Sequence, residues 1–350
     1  MQIRKGATRQ RYRRDHPRAR RGYPGPPMGS LRPDSGFWSG KDVVVTGGAG
    51  FLGQPTVAAL EGLGASVSAT RSSEHDLRDR AACRDALAGA EVVIHLAANV
   101  GGIGYNRRNP GPLAHDNLAM GMNVFEAARE LGIEKLVAAC SVCAYPKFAP
   151  VPFTEDDLWD GYPEESNAPY GLAKRMLLVL SGAYRRQYGL NSCVPVIANL
   201  YGPGDNFDLE DSHVIAAMVH KFVVAAERGD PEVVLWGTGE PSREFLYVDD
   251  AARALILAAE RYDSSDPVNI GTGTETKIRD LAQTISSLAG FEGEIVWDTE
   301  QPDGQPRRYL DVSRARERFG FEAEMPLEEG LRRTIESFRA TELVAAGSSA

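Results

Sequence analysis

The chain has 350 residues, 43% hydrophobic and 25% charged, with a formal net charge of −9, which is the composition of a globular protein with room for a large core. No run approaches the roughly 18 apolar residues of a membrane span. The four cysteines, Cys83, Cys140, Cys143 and Cys193, suit neither a disulfide framework nor structural zinc, so a reducing, cytoplasmic setting without a metal is expected. Residues 1–27 hold nine basic side chains against Asp15 alone. That stretch, extended to residue 39, reads as a disordered basic extension on an acidic body, and such a body argues against a nucleic-acid partner.

The chain then opens on Lys41 to Gly53, KDVVVTGGAGFLG. Val43, Val44 and Val45 suit a buried strand, and Gly47, Gly50, Phe51 and Leu52 form a glycine turn into a helix over residues 51–63. Strand, glycine turn and helix start together predict a pyrophosphate site, because glycine admits the phosphates closely and free helix N–H groups face the anion. A second strand over residues 65–70 ends in Thr70 and Arg71, where an NAD site would place an acidic residue. The cation there favours the extra phosphate of NADP(H) over NAD(H). Asp76 and Leu77 follow in a loop suited to cover the adenine.

Glu91 to Ala98, which includes Leu96 and Ala97, reads as a buried parallel strand. The glycine-rich stretch 99–106, including Gly102, reads as a loop beside the nicotinamide or substrate. A helix over residues 112–131 and a strand over 135–139 complete a βα series that predicts a right-handed, doubly wound parallel sheet of the Rossmann type. Ser141 and Cys143 fall just beyond a strand's carboxyl end, where ligands bind in such sheets. After a proline-rich excursion, Tyr170 and Lys174 stand one turn apart on a helix, completing a Ser/Tyr/Lys set.

A strand over residues 192–198 leads to Asn199, and a helix over 211–228 begins with His213. Residues 231–236 form a strand ending at Trp236, and Asp249 and Asp250 are expected to cap the next helix. Strands at 268–270 and 293–297 alternate with helices at 277–289 and 327–339, and residues 341–350 read as a frayed end. Residues 40–200 are expected to form the cofactor domain, with returns to its sheet near 233–250 and 268–271. Residues 201–340 would supply most of a smaller substrate-binding lobe.

Several segments in combination carry a likeness: Val100-Gly101-Gly102-Ile103, Ser141 to Lys147, Pro169 to Lys174, Asn199 to Phe207, Ser212 to Ile215, Arg243-Glu244-Phe245 and Pro302 to Arg307. The chain resembles the extended short-chain dehydrogenase/reductase family over residues 41–338, and within it the GDP-sugar epimerase-reductases. The resemblance implies NADP(H), a GDP-linked hexose, and a homodimer formed through helices at 112–131 and 165–187. The implied reaction is 3,5-epimerisation of a 4-keto-6-deoxyhexose followed by reduction at C4.

A C4 ketone acidifies the hydrogens at C3 and C5, so inversion needs a base and an acid. Cys143 and His213 are the residues expected to supply them. In the reduction, Tyr170 is expected to donate a proton, with Lys174 orienting the cofactor and Ser141 holding the carbonyl oxygen. Arg243, Lys221 and Arg307 or Arg308 are the cations expected on the diphosphate. Val142 and Gly204 replace the serine and histidine usual in that branch, which leaves the sugar open. A redox-neutral GDP-mannose 3,5-epimerase is the alternative within the family, although that group places lysine at the position of His213. An inactive NADP-binding regulatory or structural protein is the alternative outside enzymes.

Overall fold

The structure is a computed structural model that describes residues 31–347 other than Glu210 and Pro302. The basic segment 1–30 and residues 348–350 lie outside the described residues, with the expectations made for them. Helix α1 (Ser35–Trp38) precedes β1 (Asp42–Thr46), α2 (Gly53–Gly62), β2 (Ser66–Thr70), α3 (Arg80–Leu87) and β3 (Val92–His95). Helices α4 (Ile103–Arg108) and α5 (Pro110–Leu131) lead to β4 (Lys135–Ala138), its continuation β5 (Cys140–Ser141), and α6 (Ala168–Tyr188). One edge of the chain's return is built from β6 (Ser192–Cys193), β7 (Pro195–Ile197) and β8 (Asn199–Tyr201).

These strands pair in parallel in the order β2-β1-β3-β4-β6, and β5 continues the ladder beside β7. Val43, Val44, Val45, Val92, Val93 and Ile94 are all buried, as expected where helices cover both faces of a parallel sheet. The apolar runs are therefore continuous rather than alternating. The Rossmann-type, doubly wound sheet expected from the sequence is the observed fold.

The second half contains α7 (Val214–Arg228), β9 (Glu232–Trp236), β10 (Ser242–Arg243), β11 (Phe245–Tyr247), α8 (Val248–Arg261) and β12 (Val268–Ile270). It closes with β13 (Thr276–Lys277), α9 (Ile278–Ala289), β14 (Glu294–Asp298), β15 (Arg307–Arg308), α10 (Ser313–Phe319) and α11 (Leu327–Gly347). Strands β11 and β12 rejoin the main sheet through β8 and β7. Strand β9 does not return there: it pairs with β14 in the lobe. A separate core gathers Ile215, Val219 and Phe222 from α7, Leu281 and Ile285 from α9, and Leu331, Ile335 and Phe338 from α11. Their three- and four-residue spacing gives each helix one apolar face, and each fully buried side chain contributes about 1.5–3 kcal/mol.

Local boundaries depart from the sequence reading where packing overrides pattern. Residues 31–39 belong to the body: Leu31 N–H donates to the Gly320 carbonyl at 3.1 Å, and Trp38 is fully buried with its Nε1–H on Glu260 Oε2 at 3.2 Å. The stretch expected as a loop contains α4, which starts immediately after Gly102. Asp249 and Asp250 do not cap α8; they lie in its first turn, and Asp250 instead accepts from Arg253 and from the backbone of Glu324 and Met325. Helix α11 continues through Gly347, past the expected end at 339.

Candidate active site

The carboxyl ends of the parallel strands and the inner wall of the lobe enclose a cavity of about 1370 Å³. Its phosphate end is set by the turn after β1. Gly47 has φ +69°, and a Cβ there would lie 2.9 Å from the Ala97 nitrogen; a Cβ on Gly53 would collide with the Gly47 carbonyl. Only glycine permits this packing of turn, helix and β3 end, which leaves Gly47, Gly50, Phe51, Leu52, Leu96 and Ala97 on the cavity wall. Arg71, Asp76 and Leu77 line the same end. Asp76 is engaged by Arg78, whose Nη2 lies 2.7 Å away; that pairing holds the Asp76 carboxyl down at about 2. Beneath the turn, Thr46 Oγ1 accepts from the Leu96 and Ala97 N–H groups and lies 2.8 Å from His95 Nδ1. With its oxygen already accepting, the Thr46 hydroxyl donates to His95, whose burial lowers its pKa to about 3 and keeps it neutral. The glycine cradle and the cationic strand end fit a dinucleotide phosphate.

The reactive end is built where α6 meets the segment after β5. A Cβ at Gly171 would strike the Cys143 carbonyl, so glycine there lets the start of α6 rest directly on residues 141–144. Ser141, Cys143, Tyr170 and Lys174 consequently face one wall. The Cys143 N–H donates to Ser141 Oγ at 3.2 Å. Lys174 Nζ stands 5.9 Å from the Tyr170 ring centroid. Burial, with Cys143 and Cys140 adding to it, raises the Tyr170 phenol well above its ordinary value. Burial lowers Lys174 to about 8. The free site therefore holds a protonated phenol beside a cation that titrates just above neutrality.

His213 stands at the start of α7, exposed and lining the same cavity. Enough protein surrounds it for desolvation to lower its pKa, and the charge of Arg308 lowers it further. Arg308 reaches across with Nη1 3.9 Å from Cys143 Sγ and Nη2 3.0 Å from Asn199 Oδ1. In the β10–β15 ladder Arg243 is the register partner of Arg308. Like charges placed directly across a ladder repel, and burial followed by that repulsion lowers Arg243 to about 10. The chemistry of such a pair suits an anion. Its neighbour Arg307 points out to Glu275 with Nε at 3.0 Å, so of the two arginines considered from sequence Arg308 is the one that lines the cavity. Lys221 and Trp236 also line the cavity; Lys221 Nζ donates to the Val234 carbonyl at 2.8 Å.

Of the site residues singled out from the sequence the cavity brings together all but Arg307, Gly102 included. It also holds groups to which sequence reasoning gave no role, beside Arg308, which it had named. Among the described residues, His75 Nδ1, Asn106 Oδ1, Ser212 Oγ and Arg308 Nε are buried polar atoms without a partner, and all four residues line it. Such orphans are uncommon in folded proteins and mark positions that a ligand or water completes. Asp205 is a further lining residue, and burial pushes its carboxyl up to about 7. His75 and Asn106 carry no periodic signal, while Ser212 and Asp205 fall inside segments of the likeness that gave them no role of their own. Among the described residues no three His, Cys, Asp or Glu side chains are grouped to hold a metal, and no helix is long and apolar enough to cross a membrane.

A glycine cradle at the head of a parallel sheet, with Ser, Tyr and Lys at its reactive end, defines an enzyme of the extended short-chain dehydrogenase/reductase type. The sequence pattern of the NAD dependent epimerase/dehydratase family matches residues 43–271, and the chain belongs to that family. It is 40% identical over 297 residues to a probable GDP-L-fucose synthase 1 of Oryza sativa subsp. japonica, covering 83% of this chain and 90% of that one. It is 39% identical over 308 residues to the GDP-L-fucose synthase of Escherichia coli strain K12, covering 85% and 96%. A solved GDP-L-fucose synthetase from Naegleria fowleri bound to NADP superposes with a TM-score of 0.78 at 32% identity, covering 87% of this chain and 94% of that one.

Proposed function

We infer that the protein is an NADP-dependent GDP-sugar epimerase-reductase that inverts C3 and C5 of a 4-keto-6-deoxyhexose and then reduces C4. The observation that carries this reading is the meeting, in one cavity, of a thiol, an imidazole, a Tyr/Lys pair and two opposed arginines. The named relatives support the GDP-linked substrate, and Arg71 at the end of β2 supports NADP over NAD.

Arg243 and Arg308 grip the diphosphate, which relieves their mutual repulsion. The same negative charge offsets the field of Arg308 on His213 and lets the imidazole take up a proton. Cys143 removes the acidic proton at C3 or C5, and His213 returns one to the opposite face. Gly47, Gly50 and Arg71 hold the dinucleotide, which when bound supplies hydride for C4. Ser141 donates to the C4 oxygen, Tyr170 passes it a proton, and the Lys174 charge favours the phenolate left behind. A homodimer through α5 and α6 belongs to the same reading, supported by the exposed Met122, Met176 and Val179.

The test is incubation with GDP-4-keto-6-deoxy-mannose and with GDP-mannose in heavy water, with and without NADPH. Deuterium should enter C3 and C5 of the keto sugar without NADPH, and NADPH should be consumed stoichiometrically when present. Epimerisation of GDP-mannose with no net NADPH oxidation would instead establish the redox-neutral alternative. NADP binding with neither exchange nor reduction would establish a non-catalytic protein.

A further inference from the structure

Asn106 is 3% exposed, lines the cavity, and has an amide oxygen without a partner. Its orientation follows from a chain of hydrogen bonds that begins at a carboxylate. Glu164 Oε2 accepts from Ser166 Oγ at 2.6 Å, from the Asn167 backbone N–H at 3.2 Å and from Asn167 Nδ2 at 2.8 Å. These bonds outweigh burial and hold the Glu164 carboxyl below its ordinary value, so it stays ionised and can only accept. Asn167 must therefore turn its NH2 toward Glu164 and its oxygen toward Asn106. Asn106 in turn must give its NH2 to that oxygen, at 2.9 Å, which leaves its own oxygen as the free acceptor.

The end of the cavity concerned is the reactive one. The Asn167 carbonyl accepts from the Gly171 N–H at 2.7 Å, so Asn167 sits one helical turn from Tyr170. A buried acceptor without a partner is costly when nothing completes it. On the reading above, the hexose ring at that end brings O–H donors at C2 and C3.

We propose that Asn106 is a specificity residue whose amide oxygen accepts a hydrogen bond from a ring hydroxyl of the hexose, with Glu164 as the positioning residue that sets its polarity through Asn167. This rests on the epimerase-reductase reading of the site. A glutamine at 164 can donate as well as accept, so it no longer dictates which way Asn167 and Asn106 turn. An apolar side chain at 106 removes the acceptor outright.

The experiment measures kcat/KM for NADPH oxidation with GDP-4-keto-6-deoxy-mannose and with its 2-deoxy and 3-deoxy analogues. It compares wild type, Asn106→Leu and Glu164→Gln, with melting temperature and the NADPH dissociation constant measured for each. One deoxy analogue should lose about 10- to 100-fold in the wild type. Asn106→Leu should lose a similar factor on the intact sugar and nothing further on that analogue, with NADPH affinity unchanged. Glu164→Gln should show the same non-additivity at a smaller loss, and it carries the test if Asn106→Leu does not fold. Losses that simply multiply for both hydroxyls would overturn the assignment, as would weakened NADPH binding in place of weakened sugar recognition, which would put the acceptor on the cofactor's carboxamide. Turnover of none of these sugars by the wild type would defeat the functional reading itself, whereas multiplicative losses in an active enzyme defeat only the role of Asn106.

Discussion

Cys143, half-buried beneath the guanidinium of Arg308, carries the first prediction. Cys143→Ser should abolish deuterium uptake at C3 and C5, read by mass spectrometry, and undiminished uptake would exclude it as the base. Tyr170→Phe should divide the two half-reactions, lowering C4 reduction by about 10²–10⁴-fold while leaving exchange nearly intact. Lys174 sets a pH limit. Its pKa is lowered to about 8, so its charge is present below that value and lost as pH rises through it. The kcat/KM for reduction should therefore fall on the alkaline side of about pH 8, and Asp205→Asn separates this limb from any contribution of the carboxyl raised to about 7. Because Arg308 contributes to the lowering of His213, Arg308→Gln should move the imidazole titration upward, followed by NMR; a downward or absent shift would contradict the geometry.

Elements place these residues with different margins. Gly171→Ala should push α6 off the Cys143 carbonyl, and a displacement near 1 Å is enough to cost about 100-fold in turnover. The check is kcat/KM against melting temperature, since overpacking alone costs about 1–3 kcal/mol. The elements most readable in the sequence were those with a continuous physical signal. Three consecutive valines, a glycine turn and an apolar stripe fixed β1 and α2, and with them the cofactor end of the site. Strands β10, β13 and β15 have two residues each, too few for any period to register, so the arginine pair could be anticipated only from likeness. The two-residue strand β15 nonetheless obeys alternation: Arg307 faces out to Glu275 and Arg308 faces in. Helix α4 was hidden behind glycines that favour a loop, and with it went the buried position of Asn106. Orientation of a buried amide depends on partners distant in sequence, Glu164 and Asn167 here, which no local pattern encodes.

At the scale of the whole molecule, two cores flank one cavity. The main sheet and its helices form one, and α7, α9 and α11 form the other. Strands β11 and β12 stitch the later chain back into the sheet, so the lobe is anchored to the sheet at one side of the cavity and supplies its other wall. On the outer surface, α5 and α6 expose Met122 at 53%, Met176 at 42% and Val179 at 43%. If these helices form the dimer, a Met122→Lys/Val179→Glu pair should convert the assembly to monomer in light scattering without lowering the melting temperature of the isolated subunit. A monomeric native protein would defeat that part of the proposal.

The indole of Trp38, sealed against Glu260, makes the body of this enzyme begin earlier than its first strand. Trimming the chain as far as Gly40 would open an indole-sized void and strip α8 of a hydrogen-bond donor, a loss on the scale of a large aromatic truncation, about 3–5 kcal/mol. Trimming that stops before Leu31 keeps both that plug and the Leu31–Gly320 strap. Where the scissors fall within those nine residues decides whether what remains is an intact enzyme or a destabilised one.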